Sequence, residues 1–297
     1  MGHLEGVEFI VFDKRAGWRE YLRIRRLLAD RVFDALLLMQ VAMRANLLSL
    51  CIRSRRKLGY DAARAKDLHG CFVNERIAPA DQQHVVDSFF SFLAKLGLND
   101  RPQDWSLPPV KGADALANRV VDERPLMIIS PCSSHVLRNW HAEGYAALAD
   151  YAAVHYGMKV VICGGRSQTE AAMAADIVAL ASSEPLNLVG QDTFPEFIEL
   201  LRRARVLVSP DSGPAHIAAI TNTPVLGLYA ASNPRRSGPY KSIPYCVDQY
   251  GKAAETVLGR KAEALKWGKK IEYASTMSLI TVEQVKAKLD FILNEEK

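Results

Sequence analysis

Two kinds of hydrophobic pattern alternate along the chain. Short apolar runs are followed by longer stretches in which apolar positions recur every three or four residues. Short continuous runs are the pattern of strands buried on both faces, and the longer period is that of helices with one buried face. In the first third, residues 7–13 and 34–40 (DALLLMQ) predict strands, with a helix over 18–30 between them. A second helix is predicted over 43–53, a further strand starting at 57–60, and a helix over 85–96 that Gly97 ends. The stretch 99–111, NDRPQDWSLPPVK, breaks the pattern. Its prolines Pro102, Pro108 and Pro109 resist both helix and central strand, so it reads as a linker between domains 1–104 and 105–297. Beyond it the alternation is cleaner. Strands are expected over 126–130, 159–163, 186–189, 206–209 and 224–229. Helices are expected over 142–156, 168–182, 194–203, 214–221 and 281–294. Repeated β-α-β units with short loops predict an α/β architecture of doubly wound parallel sheets.

Composition narrows this picture. With 297 residues, 49% of them hydrophobic, the chain has enough material for two cores. Its 24% charged residues and net charge of +5 are too mild for a dedicated nucleic-acid binder. Positive charge is concentrated, however. Arg44, Arg53, Arg55, Arg56, Lys57, Arg64, Lys66 and Arg76 face only Asp61, Asp67 and Glu75, giving one segment the net charge of the whole chain. Such a patch suits an anionic partner. Five widely spaced cysteines without a CxxC argue for reduced thiols and against a disulfide framework or zinc site. The start shows no secretory signal pattern, and no run approaches the ~18 apolar residues of a membrane span. A cytoplasmic location is expected.

The candidate chemistry lies where strands end, since ligands of open α/β sheets bind outside the carboxyl edge. Strand 126–130 leads into Ser133 and Ser134, with Arg138 just beyond. Strand 159–163 leads into Gly164-Gly165, and strand 206–209 into Asp211-Ser212-Gly213-Pro214-Ala215-His216. Strand 224–229 leads into Ser232-Asn233-Pro234. Two readings of these clusters remain open. Asp211 or Ser212 caps the helix that Pro214 begins, or the same helix start and Gly213 receive a phosphate at close range. Glu170 belongs to a capping-box pattern with Ser167, and it is also placed to accept hydrogen bonds from a nucleotide ribose. Thr193 and Glu196 form a second capping box with no functional rival. Arg138 suits a phosphate, and His216, about one turn into its helix, is in reach of the same ligand.

The stretch SPDSGPAHIAAITNTPVLGLYAASNPRRSGPY, residues 209–240, resembles the bacterial heptosyltransferases of glycosyltransferase family 9. The likeness extends through 133–140, 164–170 and 187–196, and into the first half at FDALLLMQ and RKLGYD. The resemblance implies a GT-B fold of two Rossmann-like domains, with the acceptor side in the first and the donor in the second. It implies inverting, metal-independent transfer of heptose from ADP-heptose to the lipopolysaccharide inner core, at the inner face of the cytoplasmic membrane and with no cofactor. Independently, no Asp-x-Asp is present to hold a metal-bound nucleotide. Carried over, Asp211, Ser212, Gly213 and His216 match the donor motif, Ser133 and Ser134 the hydroxyl pair by the phosphates, Arg138 a basic phosphate contact and Glu170 the ribose acid. Gln40 and Arg44 fall where the family faces its acceptor, and Arg53 in the same basic segment joins them as a candidate.

The resemblance also implies a departure. Family members begin with two β-α units and a Gly-Asp turn carrying the proposed base, and 7–13 looks like their third strand. The first domain is therefore expected to be incomplete and sugar transfer by this chain poor. No residue is assigned as the base. Asp13 follows the expected strand but aligns elsewhere. The alternatives are a non-catalytic nucleotide-sugar-binding remnant, a nucleotide-sugar epimerase and a nucleic-acid binder. The missing GxGxxG weakens the epimerase reading, and the lack of aromatic interleaving in the basic segment weakens the last.

Overall fold

The computed structural model describes residues 6–102, 104–106 and 108–295. The chain divides into two compact units, with the boundary between Arg101 and Pro102. Gln103 and Leu107 of the expected linker lie outside the described residues.

In the smaller unit, α1 (Trp18–Leu27) precedes β1 (Phe33–Leu37), α2 (Met43–Ser49) and β2 (Ser54–Gly59). Short β3 (Glu75–Arg76) and α3 (Val85–Lys95) follow. Among the described residues the three strands form a parallel sheet in sequence order, with Phe33 opposite Ser54 and Leu58 opposite Glu75. Its core is Leu58, Ile77 and Phe92, with Leu37, Met39, Tyr60 and Leu96 packed against them. The DALLLMQ run thus gives its strand, and Gly97, at φ 89°, follows α3 as expected.

The strand expected over 7–13 does not form. Its apolar run meets the pattern of a strand, but a strand also needs a neighbour's backbone. Here the end of the segment is bound by side chains of α1. The Asp13 N–H donates to Glu20 (3.1 Å), and the Val11 carbonyl accepts from Arg23 (2.6 Å). Asp13 itself accepts from the Arg15 N–H and caps a 3-10 turn. Val7, Phe9 and Val11 stay exposed. The helix expected over 43–53 also stops early, at Ser49, where a turn delivers the chain into β2.

The larger unit contains α4 (Asp114–Val120), β4 (Leu126–Ile129), α5 (Ala142–Tyr156), β5 (Lys159–Ile162), α6 (Gln168–Leu180), β6 (Leu186–Asn187) and α7 (Phe194–Arg203). It continues with β7 (Ala204–Pro210), α8 (Gly213–Ile217), β8 (Val225–Tyr229), α9 (Pro234–Ser237), β9 (Val247–Asp248), α10 (Tyr250–Leu258) and α11 (Val282–Glu295). Among the described residues its six strands are all parallel, in the order β6-β5-β4-β7-β8-β9. The chain winds outward from β4 in one direction, then returns to the centre and winds outward in the other. The order therefore reverses between β4 and β7, the switch point where such sheets open a crevice.

Side-chain alternation along the strands builds two cores. Met127 and Ile129 of β4 face one way, into a layer with Tyr145, Leu148, Ile177, Val285 and Leu289. Leu126 and Ile128 face the other way, toward Leu116, Phe197, Leu200 and Leu201. Each fully buried side chain of this size contributes roughly 1.5–3 kcal/mol. The central strands are thus held from both sides, and their carboxyl ends are fixed points for loops. At the end of α5, Gly157 takes the left-handed conformation (φ 61°), and its N–H donates to the last-turn carbonyls. The helix stops there and the chain turns straight into β5.

Candidate functional site: a cleft at the strand ends

A cleft of about 610 Å³ opens at the carboxyl edge of the larger sheet, around the switch point. It is lined by Ser133 and Ser134 after β4, Gly164, Gly165 and Glu170 after β5, Asp192 and Thr193 after β6, and Ser212 and Gly213 after β7. Phe194, Phe197 and Ile217 supply apolar wall.

Glu170 closes the floor of one side. Its Oε1 accepts the Gly165 N–H at 2.8 Å, and its Oε2 accepts the Ser167 hydroxyl at 2.7 Å. Ser167 in turn caps α6, accepting from the Glu170 N–H. Ser167 thus caps the helix, but the reciprocal half of a capping box is not made, because the Glu170 carboxylate takes the Gly165 N–H and the Ser167 hydroxyl and not the Ser167 N–H. The carboxylate still keeps free lone pairs toward the cleft, because two oxygens offer about four acceptor sites. Thr193 and Glu196 form their capping box, Glu196 accepting from the Thr193 N–H (2.8 Å) and hydroxyl (2.6 Å).

The β4 loop is shaped by Ser133. Its N–H donates to Asn139 (2.7 Å) and its hydroxyl to the His135 carbonyl (3.0 Å). The Ser134 hydroxyl makes no hydrogen bond among the described residues and is exposed at the cleft. Neither Asp211 nor Ser212 caps α8 with its side chain. The Ser212 hydroxyl bonds Ser209 (2.7 Å), which ties it to the Ser130 carbonyl. Space where a Gly213 side chain would project is open.

Asp211 is not among the residues lining the cleft and stands in a cluster of charges. Its carboxylate contacts the Lys270 ammonium, and His216 Nε2 lies 3.8 Å from it. Burial raises the carboxyl's affinity for a proton, but His216, Lys270 and the Ser232 hydroxyl outweigh it and hold Asp211 well below the usual carboxylate range. Arg138 pairs with Glu272 at 2.7 Å, so among the described groups its partner is a carboxylate. The candidate donor residues thus fall into two neighbouring groups. Ser133, Ser134, Glu170, Ser212 and Gly213 line the cleft, while Asp211, His216 and Arg138 stand in the charged cluster. Lys270, Glu272 and Asp192 had no local sequence signal. The Lys270–Asp211 contact spans 59 positions of sequence, and Asp192 precedes a capping box that accounts for its neighbours.

In the smaller unit, Gln40 follows β1 and Arg44 lies in the first turn of α2, both exposed at the carboxyl edge of its sheet. Arg53 does not join them. It directly precedes β2, whose first residue pairs with the first residue of β1, so it stands at the opposite edge. Its guanidinium donates to the Ala29 carbonyl at 2.9 Å. Other bases of the segment are also used structurally: Arg56 pairs with Glu75 and Arg64 with Asp61. Lys66 and Arg76 instead line a shallow concavity of about 350 Å³ together with buried His69. His69 is locked in place by Asn46 (2.8 Å) and the Tyr60 N–H (3.1 Å).

Among the described residues, no cluster of side chains suited to a metal and no helix long and apolar enough to cross a membrane is present. A sequence profile of glycosyltransferase family 9 (heptosyltransferase) matches residues 21–265. The lipopolysaccharide core heptosyltransferase OpsX of Haemophilus influenzae is 34% identical over 96% of this chain and 82% of its own length. Two solved structures are similar at 19% identity. They are a family 9 glycosyl transferase from Veillonella parvula (TM-score 0.71, 97% of this chain and 81% of that one) and the ADP-heptose lipopolysaccharide heptosyltransferase II of Escherichia coli (TM-score 0.67, 98% and 84%). These likenesses, with two parallel sheets, give the fold as GT-B, built of two Rossmann-like units. The profile match and the relative from Haemophilus influenzae together show that the chain belongs to glycosyltransferase family 9, the heptosyltransferases.

Proposed function

We propose that the chain transfers heptose from ADP-heptose to the inner core of lipopolysaccharide. The observation that carries this reading is the cleft itself. Strand-end serines, a glycine turn clamped by Glu170 and the start of α8 meet in one cavity beside the Asp211 cluster. A relative 34% identical over nearly the whole chain is a lipopolysaccharide core heptosyltransferase, which supports heptose transfer to the lipopolysaccharide core.

In this reading the nucleoside occupies the cleft with its ribose hydroxyls on Glu170. The diphosphate passes Ser133, Ser134 and Gly213 toward Arg138. Asp211, held ionised, accepts hydrogen bonds from hydroxyls of the sugar, with His216 beside it. The chemistry is a direct displacement at the anomeric carbon. The acceptor oxygen attacks as the bond to the diphosphate oxygen breaks, which inverts the centre, and its proton passes to a general base, a role assigned to no residue of this chain. Positive groups stabilise the departing diphosphate, so no metal is required. The acceptor side is the smaller unit. Gln40, Arg44, Lys66 and Arg76 share the carboxyl edge of its sheet and suit the phosphate or Kdo carboxylate groups of a lipid core. A lipid-borne acceptor places the enzyme at the inner face of the cytoplasmic membrane as a peripheral protein.

The test is incubation with ADP-heptose and a heptose-free, Kdo-bearing lipid core, followed by mass spectrometry of the lipid. Addition of one heptose, at any rate above that of a protein-free control, is expected. Transfer from a uridine donor but not from ADP-heptose overturns the reading.

A further inference from the structure

The cleft lining contains two carboxylates, Glu170 and Asp192, and no lysine or arginine. It suits a neutral nucleoside with hydroxyl and amino donors, and by itself it repels a diphosphate. Charge compensation has to come from outside the lining. A concentration of cations surrounds Asp211, which directly precedes the lining residue Ser212. Lys270 contacts that carboxylate, Arg138 stands on Glu272, and both Arg138 and Arg236 act electrostatically on Lys270. Three cations therefore share one field with two carboxylates.

Arg236 is the unbalanced member. It makes no ion pair or hydrogen bond through its side chain among the described residues. Its guanidinium is nevertheless held in place, because Gly268 packs against it so closely that a Cβ there would lie 2.5 Å from Nε. Gly268 sits at φ 86°, which lets the 266–272 loop turn over Arg236 and deliver Lys270 to Asp211. Lys270 is 26% exposed and Asp211 8%, so the ammonium covers the carboxylate and keeps an outward face. An ammonium has three N–H donors. Contact with one carboxylate leaves donors for a second anion, and without that ammonium the buried Asp211 charge would oppose any diphosphate brought beside it.

We propose that Lys270, flanked by Arg236, is a diphosphate-binding residue that bridges Asp211 and the donor's phosphates. This rests on the donor reading of the cleft given above. Lys270 lies beyond the span matched by the family profile, so that match assigns it no role. The role follows from where the 266–272 loop carries its charge.

The test is calorimetric titration of the intact chain with ADP and with adenosine, in the wild type and in Lys270→Met, Lys270→Arg and Arg236→Gln. Lys270→Met should weaken ADP binding about 10- to 100-fold, the scale of a lost hydrogen bond to a charged group. Adenosine affinity should stay unchanged. Lys270→Arg should restore most of the ADP affinity, and Arg236→Gln should lower it by a smaller factor, also without effect on adenosine. Equal ADP affinity in wild type and Lys270→Met overturns the proposal while leaving the donor reading intact. Parallel loss of ADP and adenosine affinity also overturns it, since a merely structural lysine acts on both. A folded wild type that binds neither compound overturns the donor reading, and this inference with it.

Discussion

Asp192 is a carboxyl of the cleft lining that changes charge close to neutral pH. Burial, with Glu196 and Glu170 nearby, raises its carboxyl to about 6. A carboxyl raised in the folded state favours folding only while it is protonated. Its stabilising contribution is therefore present near pH 4 and is lost as pH rises through about 6. Asp192→Asn removes that penalty. It should raise the melting temperature near neutral pH by about 2 °C, the scale of somewhat under 1 kcal/mol in a domain of this size, and leave it unchanged near pH 4. Thermal melts at the two pH values check this, and a gain at pH 4 equal to that at neutral pH contradicts it. Glu170 makes a different prediction. Glu170→Gln keeps an oxygen for the Gly165 N–H but loses the charge, so the turn survives while ribose binding weakens. ADP affinity should fall about tenfold, one charge-assisted hydrogen bond's worth, with little change in stability. A titration showing wild-type affinity would reduce Glu170 to its hold on the Gly165 turn. The Ser167 cap was readable in the sequence, and the proposed ribose contact rests on the same placement, because Ser167-Gln168-Thr169-Glu170 follows a double glycine at a strand end. Lys270 was not readable. Its partner is 59 positions away, and only the fold of the 266–272 loop brings them together.

At the scale of elements, strands buried on both faces were the most legible. The runs at β4, β5, β7 and β8 are apolar at nearly every position because helices cover both sides of the sheet. The segment 7–13 shows where such reading stops, since side-chain periodicity says nothing of whether a partner strand takes the backbone. Short β3 (Glu75–Arg76) and β9 (Val247–Asp248) carry no apolar run to be seen, unlike equally short β6, whose Leu186 leads on into Leu188 and Val189. Helix α5 yields a sharper test of packing. Built on Gly144, a Cβ would lie 2.5 Å from Trp140 Cζ2 and 2.6 Å from Cη2. Trp140 is 1% exposed and donates to the Ile280 carbonyl at 3.0 Å, so it has no room to move. Alanine at an exposed helical position would gain about 1 kcal/mol over glycine. Here overpacking, typically costing about 1–3 kcal/mol, should win. Gly144→Ala is expected to lower the urea midpoint without changing the slope, and a raised midpoint would contradict the packing described.

For the whole molecule, the two units have separate cores and a proline-rich connection whose described residues are mostly exposed. The connection was legible from Pro102, Pro108 and Pro109. Limited trypsin treatment should cut first after Lys111, because Pro102 protects the bond after Arg101. The fragment from Gly112 onward contains the entire six-stranded sheet and should still melt cooperatively. First cuts within β4–β9 would contradict a self-contained larger unit. The most direct measurement of the central claim, that this unit carries a nucleotide-sugar donor site, is calorimetric titration of the intact chain with ADP-heptose. The account predicts saturable binding at a single site, competed by ADP. A folded chain that gives no binding heat, or binding that ADP does not displace, would contradict it.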